Sequence, residues 1–145
     1  MWPESNIQLK AVLPSEFDIL AEFTNSLPGG ATSPVHPFAG LVINFNVTTH
    51  IHRDSKDNSI CLVMPLFDSS TTGGHLCILE LGLVIAMKLL DVVIFHSATL
   101  SHFNLHHVSN RASFVFHSDG SGLWWVDDRN GWQNNLFMRA NVGSK

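Results

Sequence analysis

A histidine and an aspartate occupy alternate positions in the polar run THIHRDSKD, which closely follows the apolar stretch GLVINFNV. In an extended chain the side chains of His52 and Asp54 point to the same face, together with those of Thr48 and His50. An imidazole and a carboxylate side by side are two neighbouring ligands for one divalent cation. The run therefore indicates either a metal site or the solvent-exposed end of a strand.

A metal site needs a further protein ligand, which has to come from a later segment of the chain. Two histidines and one carboxylate on one face of an octahedron leave three open positions, the arrangement of non-haem Fe(II) oxygenases. The later histidines that could complete such a set are His96, His102, His106, His107 and His117. Their chemistry alone leaves the choice among them open.

A second pair of polar residues begins the later run RASFVFHS. Arg111 and Ser113 alternate there, so in a strand they share a face. A guanidinium that points into an apolar sheet is costly unless a carboxylate meets it. Its planar fork binds a carboxylate through paired hydrogen bonds, and a neighbouring hydroxyl can add another. Arg111 is thus either the anchor of a carboxylate cosubstrate or a solvent-facing residue at the start of a strand.

The elements that must position these residues are mostly short strands. Residues 1–37 form a predicted lead-in with one helix, SEFDILAEFTNSL, for which Ser15 is the expected N-cap. The predicted strands that follow are GLVINFNV, SICLVMPLF, HLCILE, LVIAMKLL, DVVIF, LSHFNLHHV and RASFVFHS. Short strands at this density predict an antiparallel sandwich, jelly roll or barrel over residues 38–119. Residues 120–145 are rich in turn residues and tryptophan, and we expect this tail to pack on the core.

Charge and apolar patterning narrow the classes of function. Charged residues make up 14% of the chain, where about 25% is usual, and the formal net charge is −4. This balance argues against a generally basic nucleic-acid-binding surface. The apolar tract over residues 76–95 is interrupted by Glu80, Lys88 and Asp91, so it predicts buried strands and no membrane helix. With two cysteines out of framework spacing and no signal-peptide pattern, we expect a nuclear or cytoplasmic protein that is not secreted.

The ordered set HxD, strands, GG, DVVIF, H and RxS resembles the Fe(II)/2-oxoglutarate-dependent dioxygenases. The resemblance implies a mainly β fold, the double-stranded β-helix, which is a form of jelly roll, over residues 38–119. It also implies that the catalytic metal ligands are His52, Asp54 and His102. Arg111 then matches the arginine that pairs with the far carboxylate of 2-oxoglutarate, with Ser113 as its companion. The implied cofactors are Fe(II) and 2-oxoglutarate, with ascorbate as reductant.

Within this superfamily, INFNVTTHIHRDSKD and RASFVFHSD look most like the TET/JBP-type branch found in fungi. A looser similarity to AlkB-type enzymes implies that Asn44 and Asn46 line the cosubstrate pocket. Leu90 departs from the pattern, because the family usually has a glycine before the aspartate of DVVIF. Both branches oxidise modified nucleobases, so the expected partner is DNA or RNA that carries a methylated base. The alternatives are the same chemistry on a protein or small molecule, or a truncated, inactive β-sandwich that binds metal.

Overall fold

The computed structural model describes residues 3–67 and 72–128. This part of the chain is mainly β and contains three α-helices and nine strands. In chain order they are α1 (Pro3–Val12), α2 (Pro14–Ser26), β1 (Gly40–Phe45), β2 (Cys61–Phe67), β3 (Thr72–Gly73), β4 (Leu76–Ile78), β5 (Leu83–Ile85), β6 (Val93–Phe95), β7 (His102–Asn104), β8 (His107–Val108), β9 (Arg111–His117) and α3 (Gly122–Asp127). A single 3-10 turn, Gly30–Thr32, links α2 to the strands.

The strands form antiparallel sheets arranged as a jelly roll. The largest sheet has the order β1-β9-β2-β6, a second has the order β5-β4-β7, and β3 pairs with β8. All pairings are antiparallel. Each of the seven predicted apolar runs contains at least one strand, so the prediction of a mainly β jelly roll is confirmed.

Strand β9 shows how the large sheet separates a packed core from a cavity. Phe116 is buried against α2, and Phe114 packs at the edge of the same cluster. The alternate residues Ser113, Val115 and His117 line a cavity on the opposite side. This division follows from the period-two alternation of a strand. The helices therefore support the sheet that carries one wall of the cavity.

The N-terminal lead-in contains two helices where the sequence predicts one. The sequence does not predict helix α1, because PESNIQLKAV has little apolar periodicity. Leu9 of this helix is nevertheless buried in the core. Helix α2 begins at Pro14, one residue before the expected start, and Leu13 is its N-cap without a side-chain hydrogen bond. The expected N-cap Ser15 is therefore wrong. Proline at the first helical position replaces that cap, because its fixed φ favours the helix and it has no N–H to satisfy.

The turn before β6 has the backbone that a glycine would normally supply. Leu90 has a φ of 67°, in the left-handed region, and its N–H donates to the carbonyl of Pro65 at 3.0 Å. A residue with a Cβ pays roughly 1–2 kcal/mol for this conformation. Leu90 thus adopts a backbone conformation that favours glycine.

The described part of the C-terminal tail is helix α3, which packs on α2. A Cβ placed on Gly122 would lie 2.6 Å from Phe23 Cζ, so only a glycine permits this approach. Residues 129–145 of the predicted tail lie outside the described residues. None of the helices within residues 3–67 and 72–128 has the length and apolarity needed to cross a membrane.

Candidate metal centre

The loop between β1 and β2 carries His52 and Asp54, and His102 is the first residue of β7. The loop forms no regular strand, and His52 instead makes one antiparallel bridge with His102. The His52 N–H donates to the His102 carbonyl at 3.1 Å, and the His102 N–H donates back to the His52 carbonyl at 2.9 Å. The N–H of Asp54 donates to the carbonyl of Ser97 at 3.0 Å. Backbone hydrogen bonds therefore tie both ligand-bearing segments together.

The side chains of His52, Asp54 and His102 converge. Their candidate ligand atoms all lie within 4.8 Å of one another, and no other cluster of this kind occurs in residues 3–67 and 72–128. The Nε2 atom of His52 is 3.7 Å from Asp54 Oδ1, and the Nε2 atom of His102 is 3.4 Å from Asp54 Oδ2. The two imidazole rings are 4.4 Å apart between centroids.

The other ring nitrogen of each histidine has a backbone partner. The Nδ1 atom of His52 is 2.7 Å from the carbonyl of His50, and the Nδ1 atom of His102 is 3.0 Å from the carbonyl of Leu100. A carbonyl can only accept a hydrogen bond, so each Nδ1 carries the proton. Each Nε2 then presents a lone pair toward Asp54, which is the arrangement that metal-binding histidines adopt.

These side chains open onto a cavity of about 270 Å³. Its apolar wall is formed by Val42, Val63, Leu76 and Val115. Asn44, Asp57, Ser113 and His117 contribute polar groups to the same cavity. Cys61 also lines it, but burial raises the pKa of this thiol to about 12, and its sulfur is not part of the converging group. A small organic molecule can therefore reach the three converging side chains.

Asp57 is a functional candidate that the sequence analysis missed. Its carboxylate is 3.0 Å from His117 Nδ1 and accepts a hydrogen bond from Ser97 Oγ at 2.5 Å. The hydrogen bond to Asp57 raises the pKa of His117 above its usual value. Asp57 lies three residues after Asp54 in the same polar run, and its N–H donates to the Asp54 carbonyl at 2.8 Å. This second carboxylate in the run is the sequence feature that could have indicated it.

Arg111 points into the molecule, which is the orientation that the family resemblance implies, and this excludes the solvent-facing alternative. Only 5% of the residue is exposed, and burial lowers the pKa of its guanidinium. Its side chain packs against Gly74, where an added Cβ would lie 3.0 Å from Arg111 Cδ and Nε. Within residues 3–67 and 72–128, no carboxylate forms an ion pair with Arg111. Arg111 lies two residues before Ser113 in β9, so both belong to the face of the strand that lines the cavity. Arg111 itself is not part of the cavity wall.

The structure separates the two asparagines that the sequence analysis assigned to cosubstrate binding. Asn44 lines the cavity. Asn46 does not: its Oδ1 accepts a hydrogen bond from the Arg111 N–H at 2.7 Å, and its Nδ2 donates to Asn110 Oδ1 at 3.2 Å. Asn46 thus closes the end of the β1–β9 pair and fixes the backbone of Arg111.

The remaining histidines lie outside the converging group. His50 is exposed and contributes only its carbonyl, as acceptor for His52. His106 and His107 stack on each other, and burial lowers the pKa of His107. The Nδ1 atom of His96 is 3.2 Å from the carbonyl of Ser59. Of the candidate third ligands, only His102 joins His52 and Asp54.

No protein-family model matches the chain, and no curated protein matches it. Among solved structures, the chain is similar to NgTET1 in complex with 5mC DNA, with a TM-score of 0.66 and 14% sequence identity. The chain has the fold of a TET protein. The superposition covers 83% of this chain and 49% of that chain, so this chain spans about half the length of NgTET1. At this identity the similarity establishes the fold alone.

Proposed function

We propose that this protein is an Fe(II)- and 2-oxoglutarate-dependent oxygenase that hydroxylates a C–H bond of its substrate. The observation that carries the proposal is the convergence of two imidazole Nε2 atoms on one carboxylate, with both Nδ1 atoms held by backbone carbonyls. Two histidines and one carboxylate are the donor set of non-haem Fe(II) oxygenases. The fold similarity to NgTET1 agrees with this assignment.

The three side chains are arranged to bind a divalent cation rather than to hydrogen-bond with one another. The contacts of 3.7 Å and 3.4 Å between the imidazoles and Asp54 are longer than good hydrogen bonds, so the carboxylate retains free lone pairs. His52, Asp54 and His102 would hold Fe(II) through Nε2, a carboxylate oxygen and Nε2. Bound Fe(II) with 2-oxoglutarate would supply oxidative decarboxylation of the cosubstrate coupled to hydroxylation of the substrate.

Arg111 and Ser113 would bind the far carboxylate of 2-oxoglutarate. Among residues 3–67 and 72–128 the buried guanidinium has no acidic partner, and a bidentate carboxylate would remove the penalty of burying it. Ser113 is 2% exposed and lines the cavity, so its hydroxyl can donate to the same carboxylate. Asn44 stands opposite Ser113 in the β1–β9 register and lines the same cavity, where its amide would orient the cosubstrate.

We propose the methyl group of a modified nucleobase, in the manner of the TET/JBP-type branch, as the oxidised group. Asp57 and His117 lie side by side in the cavity, where the carboxylate 3.0 Å from Nδ1 raises the pKa of His117 and so favours the protonated ring, whose Nε2 would be the donor beside the carboxylate acceptor. Such a pair suits the edge of a cytosine-type base, which presents an exocyclic amine beside acceptor atoms. The base would have to leave its stack to enter the cavity, at a cost of a few kcal/mol in a duplex.

The small number of cations limits how the protein would hold a nucleic acid. The chain has eight Lys and Arg residues and a net charge of −4. Arg53 is already paired with Glu80 at 2.7 Å. We therefore expect salt-sensitive binding and a preference for single strands or short substrates over long duplex DNA.

The test is incubation of the protein with Fe(II), ascorbate, 2-oxoglutarate and oligonucleotides that carry 5-methylcytosine. Mass spectrometry measures hydroxymethylcytosine and succinate together, and Asp54→Ala is the inactive control. We expect both products from the wild type and neither from the variant. If succinate forms at an equal rate with and without oligonucleotide and no oxidised base appears, the nucleobase is not the substrate. The proposed substrate is then a protein or a small molecule. No succinate under any condition would overturn the oxygenase assignment.

A further inference from the structure

A closed network of polar side chains lies beside the candidate metal centre. Glu80 Oε1 accepts hydrogen bonds from Arg53 Nη2 and from Ser101 Oγ, each at 2.7 Å. Glu80 Oε2 accepts from the backbone N–H of Ser101, also at 2.7 Å. Arg53 Nε donates to Ser101 Oγ at 2.9 Å, which closes the ring. These bonds lower the pKa of Glu80 to about 2, chiefly through Ser101 and then through Arg53.

The members of this network are the immediate neighbours of the metal-ligand candidates. Arg53 stands between His52 and Asp54, and Ser101 directly precedes His102. None of the three network residues lines the cavity, whereas His52, Asp54 and His102 all do. The ligand side chains and the network side chains therefore point away from each other across the same two segments.

Glu80 belongs to neither ligand segment. It lies in the turn between β4 and β5, which is closed by the hydrogen bond from the Gly82 N–H to the Leu79 carbonyl at 3.0 Å. The Leu79 N–H donates to the Ser101 carbonyl at 2.9 Å, so the turn is also anchored to the strand that holds His102. One carboxylate on an anchored turn thus contacts both ligand-bearing segments.

We propose that Glu80 is a positioning residue for the metal centre: through Arg53 and Ser101 it fixes the spacing between the His52–Asp54 loop and His102. The proposal rests on the proposed function of that centre as a divalent cation site. The loop that carries His52 and Asp54 has no regular strand, so apart from the backbone bonds at His52 and Asp54 it is held beside His102 by such side-chain bonds. A single exposed ion pair has little effect, but one carboxylate that accepts three hydrogen bonds restrains two segments at once.

The experiment measures the affinity of the full chain for Mn(II), a divalent ion that takes the same nitrogen and oxygen ligands as Fe(II). The variants are Glu80→Ala, Glu80→Gln and, as matched control, Glu22→Ala, which removes an exposed glutamate from α2. Calorimetric titration gives the Kd for Mn(II), and urea unfolding without metal reports the stability of each variant. A positioning role predicts a change in Kd with little change in the urea midpoint.

We expect Glu80→Ala to bind Mn(II) about tenfold more weakly than the wild type, at the lower end of the loss caused by removing groups that orient metal ligands. Glu80→Gln keeps an acceptor oxygen for Arg53 but loses the acceptor for the Ser101 N–H, so its Kd should fall between the two. Glu22→Ala should match the wild type. Glu80→Gln decides the test alone if Glu80→Ala does not fold.

Three negative results have different meanings. Equal Mn(II) affinity of the Glu80 variants and Glu22→Ala, in a wild type that does bind Mn(II), overturns the positioning role and leaves the metal centre intact. A wild type that binds no Mn(II) overturns the metal centre itself and the positioning role with it. A lower urea midpoint in Glu80→Ala with unchanged Mn(II) affinity assigns Glu80 to folding stability and also overturns the proposal.

Discussion

Substitution of Arg111 should change protein stability and cosubstrate affinity in opposite directions. Only 5% of Arg111 is exposed, and no carboxylate within residues 3–67 and 72–128 forms an ion pair with it. Replacement of a buried ion pair or triad by apolar side chains of similar volume is often neutral or stabilises a protein by about 1–4 kcal/mol, and a buried charge without a partner is less favourable than a paired one. Methionine keeps an unbranched stem against Gly74. We therefore expect Arg111→Met to raise the free energy of unfolding of the ligand-free protein by about 1 kcal/mol.

The same substitution should weaken 2-oxoglutarate binding. Hydrogen bonds to a charged group contribute about 1.5–3 kcal/mol, which corresponds to a Kd that rises by roughly 10- to 150-fold. A ligand present at 100 times its Kd stabilises the folded state by about 2.7 kcal/mol. If the Kd rises about 100-fold, the same concentration stabilises the variant by only about 0.4 kcal/mol.

The assay is urea unfolding with Mn(II) present, with and without 2-oxoglutarate, for the wild type, Arg111→Met and Lys88→Met. The last variant removes an exposed cation and serves as the charge-matched control. Equal stabilisation of the wild type and Arg111→Met by 2-oxoglutarate would show that another residue holds the far carboxylate. A loss of ligand-free stability in Arg111→Met would show that the guanidinium already has a favourable partner in the protein.

Three further predictions follow from individual residues. Leu90→Gly should raise the free energy of unfolding by about 0.5–1 kcal/mol in urea titrations, because it removes the strain of a leucine in the left-handed region. Leu90 is 51% exposed, so little packing is lost. The control Leu89→Gly should lower the free energy of unfolding. His117→Gln should destabilise the protein more at about pH 5.5 than at about pH 8.5. The raised pKa of His117 contributes stability below the unfolded value of 6.5, and this stability is lost as the pH rises through the folded pKa. An equal loss at both pH values would contradict the Asp57 contact. Asp54→Asn should abolish tight Mn(II) binding in calorimetric titrations, whereas Asp18→Asn, an exposed control on α2, should not.

The strands and the metal-ligand candidates were predictable from the sequence for different reasons. Apolar runs such as SICLVMPLF and RASFVFHS have the length and composition of strands, and β2 and β9 form there. His52 and Asp54 were indicated by their alternate spacing. The choice of His102 among five histidines came from the resemblance to a family, because spacing does not reveal which later segment returns to the loop.

Other features depend on tertiary contacts that a local pattern does not encode. Helix α1 has little apolar periodicity, and its place is set by the packing of Leu9 against the core. The alternate spacing around His52 indicates an extended strand, but the loop forms only two isolated bridges, His52 with His102 and Asp57 with Asp119. The role of Asp57 becomes visible only when β9 brings His117 beside it.

The most direct test of the metal centre is an anomalous difference map from crystals of the wild-type protein grown with Mn(II). The structure predicts one strong peak within coordination distance of His52 Nε2, His102 Nε2 and the Asp54 carboxylate, and no peak there in crystals of Asp54→Asn. A Mn(II) peak held by other side chains, with no density between His52, Asp54 and His102, would contradict the assignment of the metal centre.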